Sequence, residues 1–177
     1  MARQVALLRG VNVGSHNRIS MPALRDRLGD AGFDDVVTYL QSGNVVLSST
    51  LKPAALEAEC RGVIADAFGL DVDVLVRTGA QLATIVRKNP LGRVATDAKR
   101  YQVTFLSKPP PTEVVRKLEA LAAGGEQLAA SGRELYAWHP NGIGRSKLAA
   151  RMTGKDLGAV ATSRNWATVT TLLELAS

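Results

Sequence analysis

The run Val36-Val37-Thr38-Tyr39-Leu40-Gln41-Ser42-Gly43-Asn44-Val45-Val46-Leu47 decides the fold of the first half of this chain. Its two ends are rich in β-branched and aromatic residues, which suit a pleated, half-buried surface, and Ser42-Gly43-Asn44 between them is turn chemistry. Strands this close in sequence pair antiparallel, because a parallel pair needs a crossover of roughly a dozen residues or more. A sheet of the Rossmann type is therefore excluded.

On the N-terminal side of this hairpin, Gln4 to Leu8 reads as a strand that ends at Arg9-Gly10. Ser20 is a fitting N-cap, Pro22 suits a first helical turn, Leu24 and Leu28 share one face, and Gly32 supplies the stop. On the C-terminal side, Pro53 opens a helix whose stripe is Leu56, Cys60, Val63, Ile64 and Ala67, closed by Gly69. Val72, Val74 and Val76 then alternate with Asp71, Asp73 and Leu75 as a fourth strand. The order is β-α-β-β-α-β, the ferredoxin-like split βαβ arrangement with two helices on one face of an antiparallel sheet.

An α+β fold is thus expected, with residues 1–78 as a ferredoxin-like subdomain and 79–99 as a helix, capped by Thr78, and a connector. Residues 100–177 form a second α+β part. It opens with a strand from Tyr101 to Leu106, followed by Pro109-Pro110-Pro111, which cannot continue a ladder and sets up a helix from Glu113 to Ala123. Gln127 to Ala130 and Glu134 to Trp138 flank Ser131-Gly132-Arg133 as a second hairpin. The second part therefore begins βαββ, as the first does. Beyond Trp138 the pattern reads as helical, over Ser146 to Met152 and Ser163 to Leu175.

Composition sets the class of protein. The chain has 177 residues, 46% hydrophobic and 21% charged, which is ordinary globular usage. One cysteine, Cys60, permits no intrachain disulfide, the apolar run Val5 to Leu8 is too short for a signal-peptide core, and no stretch approaches a membrane span. A cytoplasmic, non-membrane protein is expected. Net charge is +6, unevenly placed: residues 1–78 carry 8 Lys/Arg against 9 Asp/Glu, and residues 79–177 carry 14 against 7. That asymmetry points to an anionic small molecule or nucleic acid as partner.

Several chemistries are missing. Two histidines, His16 and His139, with one cysteine cannot build a structural zinc site, and no cofactor motif appears. Cys60 lies on an apolar helix stripe and reads as a small core residue. Neither a G-x-S-x-G elbow nor an H-E-x-x-H motif occurs. The βαββαβ order raises the RNA-recognition motif, which stacks bases on aromatics of its two central strands. In the first half those strands read Val5-Ala6-Leu7-Leu8 and Val45-Val46-Leu47, without an aromatic.

Three polar clusters remain as candidates. Arg9-Gly10-Val11-Asn12-Val13-Gly14 leaves the first strand, and its glycines can turn backbone N–H groups toward a ligand, with Arg9, Gly10, Asn12 and Gly14 as the residues concerned. Asn141-Gly142-Ile143-Gly144-Arg145-Ser146-Lys147 is a glycine loop entering a helix. There Gly142, Gly144, Ser146 and Lys147, with Arg145 as a second cation, bring backbone donors and positive charge toward a phosphate or carboxylate, and Arg151 extends the basic face. Its order, Gly-Arg-Ser-Lys, is not that of a P-loop. Thr162-Ser163-Arg164-Asn165-Trp166-Ala167-Thr168 places Arg164 and Asn165 at the expected start of the last helix, where a cation opposes the dipole and so calls for a reason. Gln41, Ser42 and Asn44 of the hairpin turn complete the candidate set.

The chain resembles a bacterial family of uncharacterised proteins, a domain of unknown function. The resemblance is carried by Leu8-Arg9-Gly10-Val11-Asn12-Val13-Gly14, Tyr39-Leu40-Gln41-Ser42-Gly43-Asn44-Val45-Val46, Gly142-Ile143-Gly144-Arg145-Ser146-Lys147-Leu148 and Thr162-Ser163-Arg164-Asn165-Trp166-Ala167-Thr168. It implies a two-part α+β fold with a ferredoxin-like first half, and no activity. Where relatives often continue the first motif with Gly and Lys, this chain has Ser15 and His16.

Three readings follow. The first is binding of an anionic ligand where the glycine-loop and Arg-Asn-Trp motifs converge. The second is an enzyme on a phosphorylated or acyl substrate clamped by Arg9, Lys147 and Arg164, with the general base open among His16, His139, Asp156 and Tyr39. The third is that the motifs are structural and the protein acts through a protein partner.

Overall fold

The computed structural model describes all residues, 1–177. Its elements are β1 (Ala2–Leu8), α1 (Met21–Asp30), β2 (Asp34–Tyr39), β3 (Asn44–Ser49), α2 (Pro53–Phe68), β4 (Val74–Thr78) and α3 (Gly79–Lys88). These are followed by β5 (Tyr101–Leu106), α4 (Thr112–Glu119), β6 (Gln127–Ser131), β7 (Glu134–Trp138), α5 (Lys147–Arg151), a 3-10 turn (Lys155–Leu157), β8 (Ala161–Asn165) and α6 (Trp166–Leu175). The chain divides into two compact units, Met1–Thr84 with Thr171–Ser177, and Ile85–Thr170.

The first unit holds an antiparallel sheet in the order β2-β3-β1-β4. Alternation along the strands sends Ala6, Leu8, Val45, Leu47, Val74 and Val76 to one face, where they pack with Leu24 and Leu28 of α1 and Leu56, Cys60 and Ile64 of α2. Ser20 caps α1 by accepting from Ala23 N, and Gly69 ends α2 in the left-handed conformation. Thr78 and Gln81 form a reciprocal capping pair at the start of α3, each side chain accepting from the other's backbone N–H. The C-terminal residues fold with this unit: Arg3 donates through Nε and Nη2 to Leu175 O at 3.2 and 2.8 Å.

The second unit repeats the plan. Its sheet runs β6-β7-β5-β8, the same arrangement element for element, with Leu106, Leu135, Ala137 and Ala161 facing Leu118, Leu148 and Leu157. One segment departs from the reading of the sequence. Residues 161–165, expected from Ser163 onward as the opening of the last helix, form the edge strand β8, paired with β5 from Ala161↔Leu106 to Asn165↔Gln102. The physical reason lies in the cap. Ser and Thr are ambiguous between strand and N-cap, and here the cap is Asn165, whose Oδ1 accepts from Thr168 N at 2.9 Å. Helix α6 starts only after it, and β8 completes a second β-α-β-β-α-β.

Candidate functional site

In the first unit, the loop after β1 and the β2–β3 hairpin close on each other. Asn12, with φ 54°, donates from Nδ2 to Gln41 O at 2.7 Å and to Ile19 O at 3.0 Å, while its Oδ1 accepts from Ile19 N at 2.9 Å. Gly43 O accepts from Leu8 N at 2.8 Å. Asn44 is fully buried and donates to Tyr39 O and to Ser42 Oγ at 2.8 and 3.0 Å, which sets the turn. Arg9 lies 3.6 Å from the Asp73 carboxylate, and its backbone N–H donates to Asp73 O. Gly10 and Gly14 have positive φ, 66° and 59°, with open space where a Cβ would stand. Their positive φ is the reason glycine suits these two positions. The side-chain amides of Asn12 and Asn44 are directed at the chain itself, whereas Gln41 is exposed.

In the second unit, Arg164 and Asn165 likewise serve the fold. Arg164 is 7% exposed, and its Nη1 donates to Thr162 Oγ1 at 2.7 Å and to Ser163 O at 2.9 Å. Burial lowers its pKa to about 10, which still leaves it charged at neutral pH. Trp166 stacks edge-on against Tyr101, with ring centroids 4.8 Å apart, and its backbone N–H donates to Ala98 O.

Gly142, Ser146 and Lys147 occupy a different place. They line an open cleft of about 290 Å³ together with Leu121, Gly124, Glu126, Asn141 and Arg145; Gly144 is exposed in the same loop. The structure thus brings the glycine loop together with the turn after α4, and does not bring Arg164 or Asn165 to it. Two loops make the walls. Asn141 Nδ2 donates to Gly124 O at 3.1 Å, Gly142 N donates to His139 O at 3.0 Å, and Ser146 caps α5 by accepting from Ala149 N at 3.0 Å. Arg145 and Lys147 are exposed, and neither forms an ion pair.

Behind the cleft stands a chain of polar groups of which the sequence singled out only His139, as one of the open general-base candidates. Glu126 Oε1 lies 2.8 Å from Nδ1 of the fully buried His139, whose Nε2 lies 3.1 Å from Gln102 Oε1. Gln102 pairs in the ladder with Asn165. Burial pushes the Glu126 carboxyl upward, but donation from Ser146, His139 and the Ala123 N–H outweighs it and holds the group below its ordinary range. Glu126 is therefore an ionised acceptor, so Nδ1 of His139 donates to it. The signal in the sequence was slight: Gly124-Gly125 before Glu126, both at positive φ, turn the carboxylate back toward His139.

A folded-state pKa below the unfolded value stabilises the protein above the ordinary glutamate pKa of about 4.3, and the contribution is lost as pH falls through the lowered value. Glu126→Gln is therefore expected to destabilise the protein at neutral pH. The gap to wild type should close as the medium is acidified, measured as urea midpoints from about pH 7 to pH 3.

Two other features limit the chemistry. Cys60 is 1% exposed, and burial, with Glu59 and Glu57 nearby, pushes its thiol up to about 12, so it is no nucleophile at neutral pH. The central strands of the second sheet carry Tyr101, Phe105, Tyr136 and Trp138, the aromatic placement that stacks bases in RNA-recognition motifs, yet none is more than 7% exposed. Tyr136 Oη donates to Ile85 O at 2.9 Å, and Tyr101 Oη accepts from Leu91 N. That face offers no ring to a base. No helix is long and apolar enough to cross a membrane.

Two antiparallel sheets of ferredoxin-like order in one chain, with a cationic cleft on the second, define an α+β protein of repeated topology. The chain belongs to the family described as protein of unknown function (DUF1697), whose model matches residues 1–136. Among solved structures, the conserved bacterial protein SP0830 from Streptococcus pneumoniae is similar over 99% of this chain and 98% of that one, with a TM-score of 0.78 at 20% identity. At that identity the likeness speaks for the fold. No curated protein matches this sequence.

Proposed function

We propose that this protein binds a small anionic ligand, bearing a phosphate or carboxylate, in the cleft between the turn after α4 and the loop entering α5. The observation that carries the reading is the pair of unpaired cations, Arg145 and Lys147, on the wall of one cleft with Gly142 and Ser146. Arg9, Arg61 and Arg151, by contrast, face carboxylates of the protein. Cations left without an ion-pair partner at the wall of a concave site are what an incoming anion requires. The carboxylate of Glu126 lines the same cleft and is charged, but its oxygens accept from His139, Ser146 and Ala123 N, and the two cations leave the cleft with an excess of positive charge. Glu126 fixes the two walls.

The buried aromatic face argues against a single-stranded nucleic acid as ligand and favours a compact anion. The first two motifs and the Arg-Asn-Trp motif are read as structural, since their donors are spent within the fold. Calorimetric titration with inorganic phosphate and with short carboxylates tests the reading. Arg145→Ala and Lys147→Ala are each expected to weaken binding about tenfold, the loss of one hydrogen bond to a charged group. Melting temperatures should remain near wild type, because both side chains are exposed. Absence of heat with every anion would remove the proposal.

A further inference from the structure

We infer that the ligand is amphiphilic: a single small molecule with an anionic head in the cleft and an apolar chain or ring in the groove beside it. The inference rests on the anion-binding reading above and adds the substrate class. A second concavity of about 420 Å³ lies against α4, α5 and the 3-10 turn. Its apolar lining is Val114, Leu118, Leu121 and Leu157, and Leu121 lines the cationic cleft as well. The two hollows are therefore neighbours across one side chain.

The charges sort them into head and tail positions. In the groove, Arg151 is bound to Asp156 at 2.5 Å, and Lys117 lies 3.6 Å from Glu113, so the cations at its rim are matched by the protein's own carboxylates. In the cleft, Arg145 and Lys147 are unmatched. An anion placed in the groove would have to displace an existing partner, whereas an anion in the cleft meets free donors. An apolar chain in the groove covers the half-buried Val114 and Leu121, which pack on the buried Leu118 and Leu157. The volume is in the range of small-molecule sites, roughly 300–1,000 Å³, and too small for a folded partner.

The experiment is a chain-length series on the full protein: inorganic phosphate, then ethyl, butyl, hexyl and octyl phosphate below their micelle concentrations, followed by calorimetry. Full burial of a methylene tightens binding roughly fourfold, and an open groove about twofold, so octyl phosphate is expected to bind on the order of tenfold more tightly than butyl phosphate. Val114→Trp, which fills the groove from an incompletely buried position, should bring octyl phosphate back to the affinity of phosphate and leave phosphate itself unchanged; Val114→Thr should reduce the gain per methylene. Phosphate bound with the same affinity as every ester would overturn the amphiphilic ligand and leave the anion site standing. Octyl phosphate bound equally by wild type and by Arg145→Ala/Lys147→Ala would show a groove without an anion site and sink both readings. Co-sedimentation with anionic phospholipid vesicles, without tightening along the soluble series, would assign the surface to a bilayer and overturn the single-molecule ligand.

Discussion

Gly43→Ala is expected to destabilise the protein by about 2–5 kcal/mol, a drop in melting temperature of roughly 10 °C for a chain of this size. Two effects add. Gly43 sits at φ +84°, a conformation in which an L side chain is strained by about 1–2 kcal/mol. A Cβ built there stands 2.6 Å from Val11 Cγ2 and 2.7 Å from Leu8 Cβ, closer than any real contact. Val11 and Leu8 are 2% and 1% exposed, so neither can swing aside into solvent, and overpacking of this kind costs about 1–3 kcal/mol. Gly14→Ala is the control: its φ is +59°, but nothing lies within 4 Å, and only the conformational part should appear. Urea denaturation of the two variants measures the difference. Equal, small losses in both would mean that the β1 loop and the hairpin are not locked together as described.

Arg164→Ala is expected to cost about 2–4 kcal/mol while leaving anion affinity unchanged. The guanidinium is buried beside Thr162 Oγ1 and Ser163 O, and hydrogen bonds from a charged donor contribute about 1.5–3 kcal/mol before the cavity left by the side chain is counted. Lysine should rescue little, because an ammonium cannot reproduce the planar fork. Denaturation midpoints and phosphate calorimetry on the same preparations separate the roles. A variant of native stability that has lost phosphate binding would place Arg164 among the ligand groups and make the cleft too narrow an account.

The fold was legible where one local rule sufficed. Val36 to Leu47 could only be a hairpin, and Pro22, Pro53, Gly32 and Gly69 marked helix ends that the structure keeps within a few residues. The strand β8 was not legible, because Thr162, Ser163 and Asn165 are equally good caps. What makes 161–165 a strand is the free edge of β5, a partner some 60 residues away that no local pattern reveals. Missing it hid the repeat of topology. The candidate site was half legible. Donors and cations in Gly142 to Lys147 could be recognised by type, but whether a donor faces solvent or its own chain is a tertiary fact. Asn12, Asn44 and Arg164 have the residue types of ligand groups and spend their hydrogen bonds inward. Glu126 and His139 are 13 residues apart and meet only because the turn after α4 folds back on the end of β7.

The most direct test of the anion cleft is a two-dimensional amide NMR titration of the wild-type protein with phosphate at constant ionic strength. The backbone signals of residues 142–147 and of Gly124 should move together along one saturating curve, and Lys147→Ala should displace that curve to about tenfold higher phosphate. Shifts that fail to saturate, or that centre on exposed cations elsewhere such as Lys99 and Lys108, would contradict it.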